Sequence, residues 1–401
     1  MKTHSAFWLV LALWGAGLGA AAQFGKIGVI FDLAPGLYPG AGPLALGLFV
    51  SVVGVPGLIF GTTAGLLVQG AGYRRVLVVA LLAGAVLSLV ESLFPPLPVM
   101  LALRVMEGLS HLAIVIAAPV MIAQTAPPAR LGLAMALWST FFAFTFTALA
   151  LLGRPLADAA GPGALLLAHA GWMAVFAALL WRMLPADPPR PRTPRFPGGV
   201  LRAHLAIYAS PFIAAPATGF VCYTATYVAL LTLLPPLAGE GLHAVMASLL
   251  PLVSIAGSLT LGVWLMGRLG AVRVVMLGFA LAVIGATALW LGWPSEALRL
   301  VASLWIGAAL GLVQGASFAA VPALNASAGD RTLAAAAIAQ LGNVGTTLGT
   351  PLLSALILAH GVMAVPAFVA LCSATGIALH LVQGWRRGRQ TRSIAPPPAC
   401  Q

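Results

Sequence analysis

An all-α membrane protein of twelve transmembrane helices, arranged as two pseudo-symmetric six-helix bundles, is the fold that three features of the sequence predict. Hydrophobic residues make up 61% of the 401-residue chain, and only 28 residues (20 Lys/Arg plus 8 Asp/Glu) are charged. The basic residues fall on alternate gaps between the hydrophobic runs. A Pro/Arg-rich break divides the chain, and its two halves repeat one another's landmarks.

A helix that crosses a bilayer needs about 20 predominantly apolar residues. Runs of that length lie at 6–30, 43–69, 75–94, 97–123, 131–153, 163–184, 205–235, 242–267, 273–293, 297–322, 332–358 and 362–384. Lys2 precedes the first. Arg74 and Arg75 separate the second from the third, and Arg130 the fourth from the fifth. Arg182, Arg190, Arg192, Arg195 and Arg202 stand around the sixth-to-seventh gap, Arg268 and Arg273 between the eighth and ninth, and Arg331 before the eleventh. Arg386, Arg387, Arg389 and Arg392 follow the twelfth; these are 16 of the 20 basic residues. Lys26, Arg104, Arg154 and Arg299 lie in spans or in the opposite gaps, with Asp32, Glu91, Asp158, Glu240 and Glu296. Positive charge resists translocation, so the arginine-bearing gaps and both termini are expected in the cytoplasm of a multi-pass inner-membrane protein.

The first run imitates a secretory signal: Lys2, an apolar stretch at 7–18 and small residues at 19–22. Its apolar character resumes past Gln23 and continues to about residue 34, too long for a signal core, so an uncleaved first helix is expected. The net charge of +12 would suggest nucleic-acid binding in a soluble chain, but the arginines are spread thinly over separate gaps, and no nucleic-acid partner is expected. Cys222, Cys372 and Cys400 show no CxxC spacing, so neither a metal site nor a disulfide framework is expected. No cofactor is expected either: no GxxxxGK[ST] loop exists, and the gaps are too short for a nucleotide-binding domain.

The stretch 185–199, PADPPRPRTPRFPGG, can be neither helix nor span. It sets the expected domains: a first bundle at 1–185, a cytoplasmic linker at 186–202, a second bundle at 203–384 and a cytoplasmic tail at 385–401. Gly72 and its basic neighbours follow the second span, and Gly270 with Arg268 and Arg273 follows the eighth, 198 positions later. In the fourth span Gly108 precedes Pro119 by eleven residues; in the tenth, Gly311 precedes Pro322 by the same interval, at an offset of 203. Matching offsets of half the chain argue for a duplicated six-helix unit, with a shared cavity at its interface near the midplane.

On these residues the chain resembles the major facilitator superfamily, over essentially all of 1–385. That family carries a loop G-x-x-x-D-R-x-G-R-R between its second and third helices. Here Gly65 and Gly72 match, Gln69 stands where the family has Asp, Gly70 replaces the Arg beside it, and the pair Arg74–Arg75 begins one place late behind Tyr73. The substitution of Gln69 weakens the charge relay that the resemblance implies for the loop. The second-half echo keeps Arg268 and Gly270 but has Gly267 in the acid's place. The family's R-x-x-x-G appears as Arg104 and Gly108, whereas the Gly/Pro signature of drug-efflux members is absent from the fifth span. The eleventh span, 339–351, is similar to the cyanate and nitroimidazole permease branch. The resemblance implies a secondary transporter that works by alternating access, not an enzyme.

Ionisable side chains inside hydrocarbon normally face a partner or a wet cavity. Arg104, Glu107 and His111 share one face of the fourth span, within an arc of roughly 60°. They read either as a substrate face, with Glu107 accepting a proton and His111 a second titratable stop, or as a self-neutralising pair beside a hydrogen-bonded histidine. Gln23 and Lys26 share a face of the first span, and Lys26 either snorkels to the interface or anchors the cavity as a cation. Tyr223 and Tyr227, with Thr224 and Thr226, lie near the expected midplane as cavity or packing groups. Gln314 is the repeat counterpart of His111. Gln340 and Asn343 offer neutral hydrogen-bonding groups that also serve as interhelical glue. Trp138 and Trp305 wall the cavity or face lipid. The expected partners are a small-molecule substrate, membrane lipid and a proton as coupling ion. Lys26 and Arg104 against Glu107 leave one excess positive charge, which leans towards a small organic anion; export of a neutral or lipophilic compound is the alternative. A membrane sensor or intramembrane enzyme, the rival classes, lacks respectively an output domain and a convergent catalytic set.

The arginine distribution predicts that a cysteine placed at Arg195, in an otherwise cysteine-free chain, is labelled only from the cytoplasmic side. Labelling from outside would sink the twelve-span topology.

Overall fold

The computed structural model describes residues 3–187 and 199–394; most of the 186–202 linker and the end of the 385–401 tail lie outside the described residues. Twelve helices in it are long and apolar enough to cross a membrane: Ala6–Leu37, Ala45–Ala71, Tyr73–Glu91, Leu97–Thr125, Phe141–Ala160, Pro162–Met183, Ala215–Leu237, Glu240–Leu269, Ala271–Gly292, Glu296–Leu324, Ala328–His360 and Ala364–Gln390. They are numbered here as spans 1–12. Helices are the economical solution in lipid because each satisfies its own backbone groups. Apolar side chains such as Leu93, Leu291 and Leu358 stand exposed on the outside, where hydrocarbon would meet them.

The two halves pack on one plan. Span 1 lies against spans 4, 5 and 6, span 3 against 4 and 6, and span 2 against 4. Span 7 lies against 10, 11 and 12, span 9 against 10 and 12, and span 8 against 10. Between the halves, span 2 meets span 11 and span 5 meets span 8, as a two-fold relation requires. Small residues make the first contact close: a Cβ on Gly61 would collide with Gln340, and one on Gly65 with Ala336.

Three expected boundaries move. Span 5 does not stop at 153; it passes through a π-turn at Leu149–Gly153 and ends at Ala160, before Gly161 at φ +86°. Asp158, expected in a loop, is therefore helical, and accepts from Arg154 Nε at 2.8 Å. An i, i+4 ion pair on an exposed face supports that extra turn. Arg154 also reaches Asp32 at 2.6 Å, tying span 5 to the end of span 1.

The seventh run is not one helix. Helix Gly199–Ala209 ends, residues 210–214 turn, and span 7 begins at Ala215. The tail, expected from 385, instead continues the last helix to Ile394. Arg386 donates to the Ala209 carbonyl at 2.6 Å and Arg387 to that of Pro211 at 3.0 Å. Cationic donors thus meet the carbonyls released where a helix ends.

The end of the molecule that carries the linker is closed. Tyr73, which starts span 3, hydrogen-bonds Thr332 Oγ1 at 2.5 Å and donates to the Ala328 carbonyl at 3.4 Å, both on span 11. Gln69 abuts Gly329 at the start of that span. Gln340 donates to the Leu58 carbonyl at 2.9 Å and accepts from Tyr208 at 2.7 Å. The acid missing at position 69 is met from elsewhere: the Asp187 carboxylate accepts the backbone N–H groups of Arg74 and Arg75 at 3.2 and 3.0 Å. It caps span 3 at Gly72, whose φ of +101° makes the turn. Arg74 stacks 4.1 Å from the Trp181 ring, within the first half, and Arg268 stacks 3.8 Å from Trp264. Arg75 and Arg273 are exposed.

Tyr73→Phe removes the hydroxyl that joins the halves and should weaken this closure by about 0.5–1.5 kcal/mol. Spin labels at cysteines replacing Arg75 and Arg331 should report a larger fraction of long distances; an unchanged distribution would refute the latch.

Candidate functional site

Polar side chains in the middle of the bundle form two separate groups. The first is a sealed ionic cluster inside the first half. Lys26 Nζ lies 2.6 Å from Glu107 Oε1 and 2.7 Å from Glu91 Oε2, and Arg104 pairs with the other oxygen of Glu107. All four side chains are 0% exposed, so Lys26 does not snorkel to an interface. Lys26 also donates to Ser88 Oγ at 2.8 Å, and Arg104 Nε to the Phe49 carbonyl at 3.3 Å. His169 donates from Nε2 to the Gly19 carbonyl at 3.0 Å, which leaves its Nδ1 as the acceptor 3.4 Å from Lys26. Gln23 belongs to the packing beside the cluster, donating to Ser110 at 3.0 Å.

Two cations meet two carboxylates, so the cluster is balanced in formal charge. The excess positive charge expected from Lys26, Arg104 and Glu107 is cancelled by Glu91. A charge in a low-dielectric interior is tolerated only with such partners, and removing one leaves another uncompensated.

The second group lines a cavity of about 530 Å³ between the halves. His111, one turn beyond Glu107 on span 4, reaches it, as do Gln314, Asn343, Tyr223 and Tyr227. Gln23, Lys26, Arg104, Glu107 and Gln340 are not among its lining residues. The shared face of span 4 is therefore divided: its first two ionisable groups are inside the bundle, and the third faces the cavity.

The wall is mostly apolar and rich in aromatic rings, with Phe24, Phe142, Phe220 and Phe318 beside the two tyrosines. Tyr223 and Tyr227 stack with centroids 5.3 Å apart, and Phe24 meets the His111 ring edge-on at 4.9 Å. No Asp, Glu, Lys or Arg occurs among the described residues that line it. Ala335, Gln314 and Phe318 are buried at the linker end, whereas Leu151 (68% exposed), Thr232 and Ser248 form an exposed rim at the other. The cavity thus opens away from the linker. Trp138 is buried and stacked 4.7 Å from Phe141, while Trp305 faces outward.

Sequence reasoning missed Glu91, Ser88 and His169, and it missed the phenylalanine lining. Ser88 and Glu91 stand three residues apart, one helical face turned to Lys26, and that spacing was the available signal. Nothing comparable marks the phenylalanines, since lipid-facing and cavity-facing aromatics have the same spacing.

Residues 10–350 match the family model of the Major Facilitator Superfamily. The match is to the superfamily as a whole and does not separate the cyanate and nitroimidazole branch from others. No curated protein matches the chain by sequence. Among solved structures, the transporter FucP in the outward conformation is similar, with 17% identity over 94% of this chain and 99% of that one and a TM-score of 0.73. The proton:xylose symporter XylE shares 15% identity over 96% of each chain, with a TM-score of 0.75. The human organic anion transporter MFSD10 shares 16% over 96% of this chain and 100% of that one, with a TM-score of 0.74. At these identities the likeness is one of fold.

Charge balance makes a testable difference between single and paired substitutions. Lys26→Met should destabilise the protein by roughly 3–5 kcal/mol, because it strands a carboxylate. Adding Glu91→Gln should restore most of the lost melting temperature. A double variant no more stable than the single one would contradict the balanced cluster.

Proposed function

The chain belongs to the Major Facilitator Superfamily and is a membrane transporter rather than an enzyme; from that premise we propose that it carries an uncharged, largely apolar organic molecule through the aromatic cavity by alternating access, with Glu107 taking the coupled proton. The observation that carries the substrate class is the lining itself: aromatic and aliphatic side chains, hydroxyl and amide groups with one histidine, and no Asp, Glu, Lys or Arg among the described residues. An organic anion would find no cation there. Of the two classes the sequence leaves open, the neutral or lipophilic compound fits this wall.

Glu107 is the acid best placed for coupling. It is shared between Lys26 and Arg104, with Glu91 on the far side of Lys26. Taking up a proton there releases both cations from one partner and changes the hydrogen bonds that hold spans 1, 3 and 4 together. Four residues, or about 6 Å of helix, separate it from His111 in the cavity wall. A change in the cluster is thereby passed along a single helix to the substrate. Two solved neighbours, the fucose and xylose carriers, are described as proton symporters, which is consistent with this coupling.

We read the linker face as cytoplasmic from the arginine distribution, in an inner membrane. The cavity then opens outward, and the contact of Tyr73 with span 11 closes the inner side. The cycle consists of rocking about the cavity until that contact breaks and the span 5–span 8 contact tightens.

A thermal-shift screen on purified protein identifies a solute, since a ligand at about 100 times its Kd adds roughly 2.7 kcal/mol of stability. In proteoliposomes Glu107→Gln should then keep exchange of that solute between the two sides but lose its accumulation against a gradient. Wild-type accumulation by a well-folded Glu107→Gln protein would reject the proton role. A screen led by organic anions would reject the substrate class.

A further inference from the structure

Several polar side chains of the cavity wall donate a hydrogen to a backbone carbonyl and keep lone pairs over. His111 Nδ1 sits 2.8 Å from the Ala20 carbonyl, which can only accept, so Nδ1 carries the proton. In the uncharged tautomer that this contact selects, Nε2 is an acceptor, and His111 lines the cavity. Gln314, also a lining residue, donates from Nε2 to the Ser139 carbonyl, and its Oε1, itself buried in a residue only 4% exposed, has no partner. These two residues are repeat counterparts at the offset of 203, one in each half.

The wall threonines follow suit. Thr224 donates to the Phe220 carbonyl at 3.1 Å, Thr147 to Ala143 at 2.9 Å and Thr232 to Val228 at 2.9 Å. Each hydroxyl hydrogen is thereby occupied by the helix's own backbone, and the oxygen's remaining lone pair is left. Asn343 likewise donates to the Ala339 carbonyl at 2.7 Å. The hydroxyls of Tyr223, Tyr227, Ser248 and Thr346 also stand at the wall and can donate or accept. His111 Nε2 and Gln314 Oε1 thereby form a local surplus of acceptors on a mostly apolar wall.

We propose that the transported molecule is a flat, uncharged compound bearing at least two N–H or O–H donors, which His111 Nε2 and Gln314 Oε1 accept from the two halves. This deepens the reading of the cavity as the substrate site and rests on it. A buried acceptor without a donor is costly, so a ligand that supplies one is selected over an isostere that does not. A carboxylate, which brings only acceptors, is disfavoured by the same surplus. A bridging ligand also replaces the free ends of both residues with one bound object, giving the halves a common surface to close on.

Equilibrium binding of three probes to the purified full-length protein tests this: a naphthalenediol, its dimethyl ether and naphthoate. The diol is expected to bind about tenfold or more tightly than the ether, the range set by one unsatisfied buried group. Naphthoate should be weaker than either. In Gln314→Met the diol's preference should fall to about threefold or less, with binding of the ether unchanged. Thr224→Val, which keeps shape and leaves the contact of Gln314 with Ser139 intact, should lower the preference by a smaller factor, about twofold. Equal binding of diol and ether overturns the donor requirement while leaving the apolar cavity reading in place. Tighter binding of naphthoate overturns both. Absence of binding by all three overturns the apolar substrate class, and the donor requirement with it.

Discussion

Burying ions where no water can reach them is the constraint around which this molecule is organised. Lys26, Glu91, Arg104 and Glu107 come from spans 1, 3 and 4, and each is fully enclosed. None of these charges is tolerable alone at that depth. Their balance fixes the relative height and rotation of three helices, and Arg104 adds the start of span 2 through the Phe49 carbonyl. Span 4 is held most firmly, by two of the four groups. That rigidity is what sets His111, one turn later, at the cavity wall with its ring direction decided by the Ala20 carbonyl.

The halves share their packing but not their chemistry. Position 104 corresponds to Gly307 and position 107 to Leu310 at the repeat offset, so the second half has no ionic counterpart at these positions. Aromatic surface comes from both halves, through Phe24, Phe141, Phe142 and Phe146 of the first and Phe220, Tyr223, Tyr227 and Phe318 of the second. Duplication supplied a frame with two-fold contacts, span 2 on span 11 and span 5 on span 8. Divergence then left the buried four-charge cluster in the first half, while both halves wall the cavity. Small residues keep the sliding surfaces open: Gly61 and Gly65 let span 11 approach closely without interlocking side chains.

Much of this was legible in the residues. Span number, the central break and the repeat all follow from hydropathy and arginine spacing, because lipid penalises charge so heavily that topology is written in composition. The match of His111 with Gln314 followed from the repeat offset alone. Glu91 was not legible as a partner of Lys26, because its place near a span end reads as an interfacial acid until the depth of Lys26 is known. Asp187 was hidden by distance: it replaces the acid missing at position 69 from more than a hundred residues away. Gln340 shows the converse, a polar group at a promising place whose hydrogen bonds to Leu58 and Tyr208 assign it to the contact between halves. The turn at 210–214 escaped periodicity because both flanks are apolar helix, and its carbonyls are met from a distance, Pro211 by Arg387 and Phe212 by Asn325, with Arg386 on Ala209 just before it.

The same cluster has a consequence for biogenesis. Lys26 leaves the ribosome with span 1, and its partner Glu107 follows 81 residues later. At about 5–20 residues per second, roughly 4–16 s pass before that partner has been synthesised. During that interval the first helix holds an unmatched ammonium, a poor candidate for release into bulk lipid. It must wait beside the insertion machinery or in a wet, interfacial position until span 3 brings Glu91 and span 4 brings Glu107. The first half is therefore assembled as a set of helices delivered together rather than one at a time. The second half, free of that ionic debt, can enter the bilayer helix by helix.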